Sequence, residues 1–151
     1  GTAMSFGSVA MDGIGAGEGA GFVGPAAMGF PQWEGKLWEG ELREEKLEEH
    51  DSTRDAVFDR LELSPEGPEL LTVPAAADGA AMLASRRARF PHAVAEDMEG
   101  FGVALAAAMG GVGLSIYRGI SNVAGNRDPK TWAIDDALAA VAERLLEACR
   151  A

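Results

Sequence analysis

The sequence has few basic residues, a single cysteine and no long apolar run. Its 13 lysines and arginines face 24 aspartates and glutamates, which gives a formal charge of −11 at pH 7. This balance argues against a protein that tracks nucleic-acid phosphates and against one that adheres to an anionic membrane. No apolar stretch approaches the roughly 20 residues of a membrane-spanning helix, and no charged-then-apolar leader is present. A small, mostly apolar ligand remains possible.

The lone cysteine, Cys149, cannot form a disulfide bond within the chain. Chains without internal disulfide bonds are typical of reducing compartments, so we expect a cytoplasmic protein. With 151 residues, of which 47% are hydrophobic, the chain is long enough for one domain with a single core. We therefore treat residues 1–151 as a single domain.

The first 35 residues are dominated by glycine. A phosphate-binding glycine loop follows a strand and opens a helix, and neither is evident here. A surface loop or strand edge is the better interpretation. Residues 1–6 show no initiating helix and no complete strand, so we expect the chain to start within a fold.

The middle of the chain begins with an acidic segment, residues 34–51, that we interpret as a solvated excursion, partly helical at 41–49. Its glutamates have only His50 beside them, so we expect no metal site. Residues 53–63 are predicted to form a helix with Ser52 as its cap, on which Val57, Phe58 and Leu61 share one stripe. A buried strand at 70–73 follows.

Helical and strand patterns continue towards the C-terminus. A loop of small residues at 74–79 precedes a helix at 80–89, with Met82 and Leu83 facing inward and three arginines facing outward (Arg86, Arg87 and Arg89). A strand at 93–95 comes next. The last predicted helix, 131–150, carries an apolar stripe that we interpret as core, formed by Ile134, Leu138, Val141 and Leu145.

Two polar clusters, residues 96–101 and 118–122, interrupt this otherwise small and apolar sequence. Between them lie a predicted helix at 103–109, a glycine turn and a buried strand at 114–117. Ligands bind where strands end in open α/β sheets, so Glu99 and Asn122 are expected to face one crevice. Taken singly, Glu99 could instead be a carboxylate at a helix N-terminus, and Asn122 a residue that ties a turn.

The run Phe-Pro-His-Ala-Val-Ala-Glu-Asp-Met-Glu at 90–99, followed by Arg-Gly-Ile-Ser-Asn-Val at 118–123, resembles the C-terminal half of the nucleoside phosphorylase and nucleosidase superfamily. Within it, the residues at 120–122, 126–128 and 132–134 resemble the futalosine hydrolases most, as do those at 21–22 and 28–30. Methylthioadenosine and adenosylhomocysteine nucleosidases share the first cluster but usually carry aspartate in place of Asn122.

The resemblance implies a three-layer α/β/α fold with a mixed central sheet, truncated at its N-terminus. The superfamily's first strands, its glycine-rich segment and its water-activating glutamate have no counterpart that we can assign. A sheet edge left open in this way favours self-association, so we expect a homo-oligomer.

The resemblance also implies the roles of four residues in breaking a purine N-glycosidic bond. Glu99 would hold the ribose hydroxyls and favour the positive charge that develops on the sugar. Met98 would pack on the sugar face, and the backbone near Ala77 would touch the base. Asn122, the candidate catalytic residue, would bind the edge of hypoxanthine. No cofactor and no metal are implied, and the partner is a purine nucleoside.

The family usually has serine and threonine in the loop that here reads Pro-Ala-Ala-Ala-Asp-Gly, at 74–79. Four functions remain open. The first is hydrolysis of futalosine with release of hypoxanthine, a step of menaquinone biosynthesis. The second is a non-catalytic fragment that binds nucleosides or associates with a subunit. The third is a methylthioadenosine or adenosylhomocysteine nucleosidase, and the fourth is a phosphorolytic relative, for which we find no basic phosphate site.

Overall fold

The computed structural model describes residues 1–35, 55–63 and 66–150, and these ranges contain six strands and four α-helices. The strands are β1 (Thr2–Phe6), β2 (Ser8–Met11), β3 (Arg60–Glu62), β4 (Glu69–Thr72), β5 (Ala93–Asp97) and β6 (Ile116–Ile120). The helices are α1 (Pro25–Met28), α2 (Ala80–Arg89), α3 (Gly100–Met109) and α4 (Ile134–Ala148). None of the helices in these ranges is long and apolar enough to cross a membrane.

The sheet is mixed. Four strands pair in the order β3-β2-β4-β5, in which β2, β4 and β5 are parallel and β3 runs antiparallel to β2. Strands β1 and β6 form a separate antiparallel pair. Parallel neighbours need crossover connections, and α2 supplies the one between β4 and β5. The expected α/β class with a mixed sheet is confirmed.

One buried cluster lies between the sheet and α3, and a second contains Ala10, Leu71, Val73 and Phe90. All four residues of β4 are buried, as expected for a strand that is covered on both faces. Phe101 and Ala104 of α3 pack into a buried cluster with Phe6, Val9 and Ile116. This cluster joins the two strand groups, because Val9 belongs to β2 whereas Phe6 and Ile116 belong to β1 and β6.

Several predicted elements are confirmed. Helix α2 has the predicted bounds, and β4 and α3 lie within a few residues of their predicted positions. The strand predicted at 114–117 begins later, at Ile116, and the last helix begins at Ile134 rather than Thr131. The predicted helix at 41–49 and its neighbour's cap, Ser52, lie outside the described residues.

The prediction that residues 1–6 contain no complete strand was wrong. They form β1, and the next residues form β2, the buried strand between β3 and β4. This stretch is rich in glycine, alanine and serine and has few of the β-branched and aromatic residues that are typical of strands. Its pairing partners in β4 and β6 lie more than fifty residues further along the chain.

The predicted helix at 53–63 was also wrong, since residues 60–62 form β3. Of the predicted stripe only Leu61 lies in this strand, which pairs with β2 and places Leu61 opposite Val9. Val57 forms an isolated bridge with Trp33. Pairing with a buried neighbouring strand has overridden the local helical pattern.

The apolar stripe of α4 is not core in this structure. Ile134, Leu138 and Leu145 are exposed, and Val141 is half-buried. Helix α4 packs on β1 and β6 through its small residues instead: Ala137 is buried, and a Cβ atom added to Gly119 would lie 2.5 Å from the Ala137 carbonyl oxygen. Because Gly119 lies so close to α4, a helix face of small residues packs against it.

Candidate functional site

The carboxyl ends of three parallel strands lie side by side. Met11 of β2 is in register with Thr72 of β4, and Thr72 is in register with Asp97 of β5. The chain leaves the sheet after each of these residues, so three loops start at one edge. Ligand sites of α/β sheets form at such edges. Three of the predicted site residues, Ala77, Met98 and Glu99, lie in the loops that follow β4 and β5.

Asp97 connects the elements around this edge. Its Oδ1 accepts a hydrogen bond from Thr72 Oγ1 at 2.7 Å, and its Oδ2 accepts one from the Gly100 amide at 2.9 Å. The Thr72 hydroxyl oxygen in turn accepts from the Phe101 amide at 2.8 Å. Two of the amides at the N-terminus of α3, which have no partner within the helix, are thereby satisfied.

Arg118 attaches β6 to the same carboxylate. Its Nε and Nη2 donate to Asp97 Oδ2 at 3.0 and 2.7 Å. The chain beyond β6 then turns towards α2: Gly125 has a φ of +84°, and a Cβ atom added there would lie 2.8 Å from Leu83 Cδ1 and 3.6 Å from Gly79. The loop after β6 therefore lies against the start of α2, next to the loop that contains Ala77.

Glu99 and Met98 are both exposed at this edge. Glu99 occupies the N-cap position of α3, but its side chain makes no capping hydrogen bond. Asp97 and Thr72 accept from the first amides of α3 instead, while Glu99 lies at the helix N-terminus, where the alternative interpretation placed it. An exposed carboxylate beside a helix N-terminus can accept hydrogen bonds from the hydroxyl groups of a ligand.

Asn122 is held within its own loop. Its Oδ1 accepts from Ser121 Oγ at 2.9 Å, and its Nδ2 donates to the carbonyls of Val123 at 3.1 Å and Asn126 at 3.4 Å. The side chain also borders a pocket of about 320 Å³ that includes Thr2 of β1. Neither Ala77 nor Glu99 is among the residues that line this pocket. The structure thus shows Asn122 tying a turn, as the alternative interpretation has it, and does not place it in one pocket with Glu99.

Ala77 is buried, and its backbone amide donates to Glu96 Oε2 at 3.2 Å. The other oxygen of Glu96 accepts from Arg86 Nη1 at 2.9 Å. Arg86 had been predicted to face solvent, and this was wrong, since it is only 6% exposed. Met82, predicted to face inward, is exposed. Helix α2 therefore presents an arginine, rather than a methionine, towards the sheet.

The charges near the edge are paired. Arg86 and Arg89 both contact Asp12, and Arg86 also contacts Glu96, so two cations face two carboxylates. A further pair, Arg118 and Asp97, is described above. Buried charges are tolerated when they are paired and hydrogen-bonded in this way. Within the described ranges, no group of three histidine, cysteine, aspartate or glutamate side chains could hold a metal ion.

Sequence reasoning missed Asp12 and Arg86. Asp12 directly follows β2, a strand that the sequence did not reveal. Arg86 lies three residues after Leu83 and four before Phe90, which is the spacing of one helix face. That spacing could have placed Arg86 on the buried face, but its charge suggested solvent.

A different kind of carboxylate lies at the opposite end of β4. Glu69 is the first residue of the strand, and it is almost completely buried. Arg60 forms an ion pair with it, yet neither carboxylate oxygen has a hydrogen-bond partner among the described residues. Burial raises the pKa of Glu69 above its ordinary value, and the charge of Arg60 opposes this shift only in part. Because it lies away from the loops, Glu69 is not assigned to the site.

Comparison with known proteins identifies two relatives. The chain is 52% identical over 64 residues to the futalosine hydrolase of Streptomyces coelicolor, a stretch that covers 42% of this chain and 27% of that protein. It is 52% identical over 52 residues to the futalosine hydrolase of Acidothermus cellulolyticus, covering 34% of this chain and 21% of that protein. The resemblance to futalosine hydrolases is thereby confirmed over part of the chain.

The matched stretches span about a quarter of the length of these relatives. No protein-family model matches the chain. No solved structure matches it either.

Proposed function

We propose that this chain carries part of a nucleoside hydrolase that cleaves the N-glycosidic bond of futalosine and releases hypoxanthine, a step of menaquinone biosynthesis. The observation that carries the proposal is the 52% identity to two futalosine hydrolases. The placement of Met98 and Glu99 at the carboxyl edge of the parallel strands supports it. A nucleoside bound at this edge would meet groups from the loops after β4, β5 and β6.

The chemistry requires charge stabilisation on both sides of the bond that breaks. As the bond lengthens, the ribose gains oxocarbenium character while the base takes up negative charge. Glu99 is exposed and its side chain makes no capping bond, so it would accept hydrogen bonds from two ribose hydroxyls and favour the cationic sugar more than the neutral ground state. Met98 would cover the apolar face of the sugar.

The base would lie between the loops that contain Ala77 and Asn122. An asparagine amide both donates and accepts, which matches the edge of hypoxanthine with its ring oxygen and nitrogens. To reach the base, the amide of Asn122 would exchange its present bonds to Val123 and Asn126. The longer of these, at 3.4 Å, is the one that costs least to give up.

The test is an assay of the purified chain with futalosine, inosine, methylthioadenosine and adenosylhomocysteine, each with and without phosphate, in which the released base is separated and quantified. The proposal expects hypoxanthine from futalosine at a rate that is independent of phosphate. Release that requires phosphate would indicate a phosphorolytic relative. Preferential release of adenine would indicate a nucleosidase of the methylthioadenosine type.

A second function is favoured by the short match, since the chain spans only about a quarter of its relatives' length in the aligned region. We propose as the alternative a domain that binds nucleosides, or associates with a subunit, without cleaving the bond. Calorimetric binding of futalosine with no base release over many hours would support it.

The exposed, unpaired Cys149 supports a reducing, cytoplasmic setting for either function. The homo-oligomer stays a prediction.

A further inference from the structure

We propose that Arg86 is a positioning residue of this site, which holds the loops after β2 and β4 and the end of β5 in fixed relative positions. The proposal rests on the proposed function for the identity of the substrate. Its structural part, that one buried guanidinium joins the start of the loop after β2, the loop after β4 and the end of β5, stands on contacts that are independent of that function.

Each nitrogen of the Arg86 guanidinium binds a different loop or strand end. Nε donates to Asp12 Oδ2 at 3.1 Å, directly after β2. Nη2 donates to the Ala75 carbonyl at 2.5 Å, in the loop after β4. Nη1 donates to Glu96 Oε1 at 2.9 Å, in β5. Three sequence segments that are far apart in the chain are thus joined by one planar group.

The contact with Glu96 continues to the candidate site. The carboxylate bridges Arg86 and the Ala77 amide, one oxygen to each. It therefore sets the orientation of the peptide bond before Ala77, a residue that the proposed function places against the base. Met98 and Glu99, the candidate sugar contacts, follow Glu96 by two and three residues. A shift of Glu96 would move both sides of the nucleoside site together.

The buried contacts of this side chain require an arginine. The Arg86 and Asp12 side chains are each 7% exposed, and Glu96 is 14% exposed. Only a guanidinium presents fixed donors in three directions within one plane, whereas lysine is a point charge on a flexible stem. Arg89, which donates to both oxygens of Asp12, holds the remaining side of that carboxylate. Replacing Arg86 by lysine would keep the charge and lose the joint geometry.

The experiment compares the whole chain with its Arg86→Lys variant, and uses Arg87→Lys as the matched control on the exposed side of the same helix. Amide hydrogen exchange is followed by NMR for Ala77 and for Val103 of α3. The proposal expects Ala77 to exchange about tenfold faster or more in Arg86→Lys, with Val103 unchanged; a tenfold change corresponds to about 1.4 kcal/mol of local protection. Unchanged exchange at Ala77, or equal acceleration at both amides, would overturn it.

Kinetics separate positioning from a merely structural role. Loss of folded protein lowers the apparent kcat and leaves KM unchanged, whereas displaced loops raise KM for futalosine, by about tenfold if they move by a fraction of an ångström. An unchanged KM would contradict positioning. If wild-type chain cleaves no nucleoside, the proposed function fails, and the exchange measurement still decides the role of Arg86.

A second variant covers the case in which Arg86→Lys does not fold. Glu96→Gln has a single carbonyl oxygen, which cannot accept from both Arg86 and Ala77 in the observed geometry. The proposal expects the same selective acceleration of exchange at Ala77. Wild-type protection at Ala77 in this variant would overturn the bridge through Glu96.

Discussion

Arg118 of β6 donates two hydrogen bonds to a single oxygen of Asp97 at the end of β5, although these strands do not pair with each other. This ion pair joins the antiparallel pair β1-β6 to the four-stranded sheet at the edge where the candidate site lies. The same carboxylate accepts from Thr72 and from the first amide of α3. One side chain thereby fixes the relative positions of β4, β5, β6 and α3.

Asp97→Asn is expected to destabilise the protein by roughly 1.5 to 3 kcal/mol, the usual range for hydrogen bonds to a charged group. Asparagine keeps the size but offers one acceptor oxygen in place of two, and without a charge it cannot form an ion pair with Arg118. Chemical denaturation measures the effect, with the exposed Asp55→Asn as the matched control. Equal unfolding free energies for the two variants would show that Asp97 does not organise the edge.

Gly100→Ala is expected to destabilise, because a Cβ atom there would lie 2.7 Å from Asp97 Oδ2 and 2.9 Å from Leu70 Cδ2. Such overpacking costs about 1 to 3 kcal/mol. Gly102→Ala, two residues along the same helix, would meet no described atom within 4 Å apart from the neighbouring helix backbone. It should stabilise by about 0.4 to 1 kcal/mol through reduced unfolded-state entropy. Thermal melts of both variants test this contrast, and changes of the same sign would refute it.

The prediction for Glu69 concerns pH. Burial raises the pKa of this carboxyl above its ordinary value of 4.5, opposed in part by Arg60 and His92 and assisted by Glu62 and Asp59. The folded state therefore keeps the proton where the unfolded state has released it. The stability that Glu69 contributes is fully present below pH 4.5 and is lost as the pH rises through the raised folded pKa.

Glu69→Gln should remove that pH-dependent loss. Unfolding free energies measured at intervals from pH 4 to 8 should fall less steeply for this variant than for wild-type protein. Glu143→Gln, at an exposed position on α4, is the control and should follow the wild-type curve. Parallel curves for Glu69→Gln and wild-type protein would mean that this carboxyl does not change its protonation on folding.

Substitutions of Asn122 test which base the protein releases. Asn122→Ala is expected to slow hypoxanthine release sharply, because the base loses its amide partner. Asn122→Asp should shift preference towards an adenine-type base, since a carboxylate repels the hypoxanthine oxygen but can, when protonated, act as a general acid that is commonly worth ~10² to 10⁴ in rate. Release of hypoxanthine and adenine from matched nucleosides is measured for wild-type protein and both variants. Equal base preference in wild-type protein and Asn122→Asp would show that Asn122 does not recognise the base.

The sequence revealed the elements whose signals are local. Helix α2 lies between a loop that ends in Gly79 and the Phe-Pro pair at 90–91, and its predicted bounds are correct. Strand β4 is a short apolar run after a proline and glycine turn. Strands β1 and β2 could not be found in this way, because their small residues become strand only through pairing with β4 and β6.

The positions of two candidate residues were predicted, whereas their roles stay a prediction. Two adjacent residues, Met98 and Glu99, were placed at a strand end because their polar cluster interrupts an apolar sequence. The contacts of Asp12 and Arg86 were not predictable. Asp12 follows β2, a strand that the sequence did not indicate, and Arg86 is a charged residue that is buried through its ion pairs. Burial of a charge depends on contacts with distant segments, which helical periodicity does not contain.

The measurement that tests the central claim most directly is the initial rate of hypoxanthine release from futalosine by wild-type chain and by Glu99→Gln. Glu66→Gln, at an exposed position away from the edge, is the matched control, and the unfolding midpoint of each protein is measured alongside. The account predicts release by wild-type protein and Glu66→Gln, and a rate lower by about a hundredfold in Glu99→Gln with an unchanged midpoint. Equal rates in Glu99→Gln and wild-type protein, or no release by wild-type protein, would contradict it.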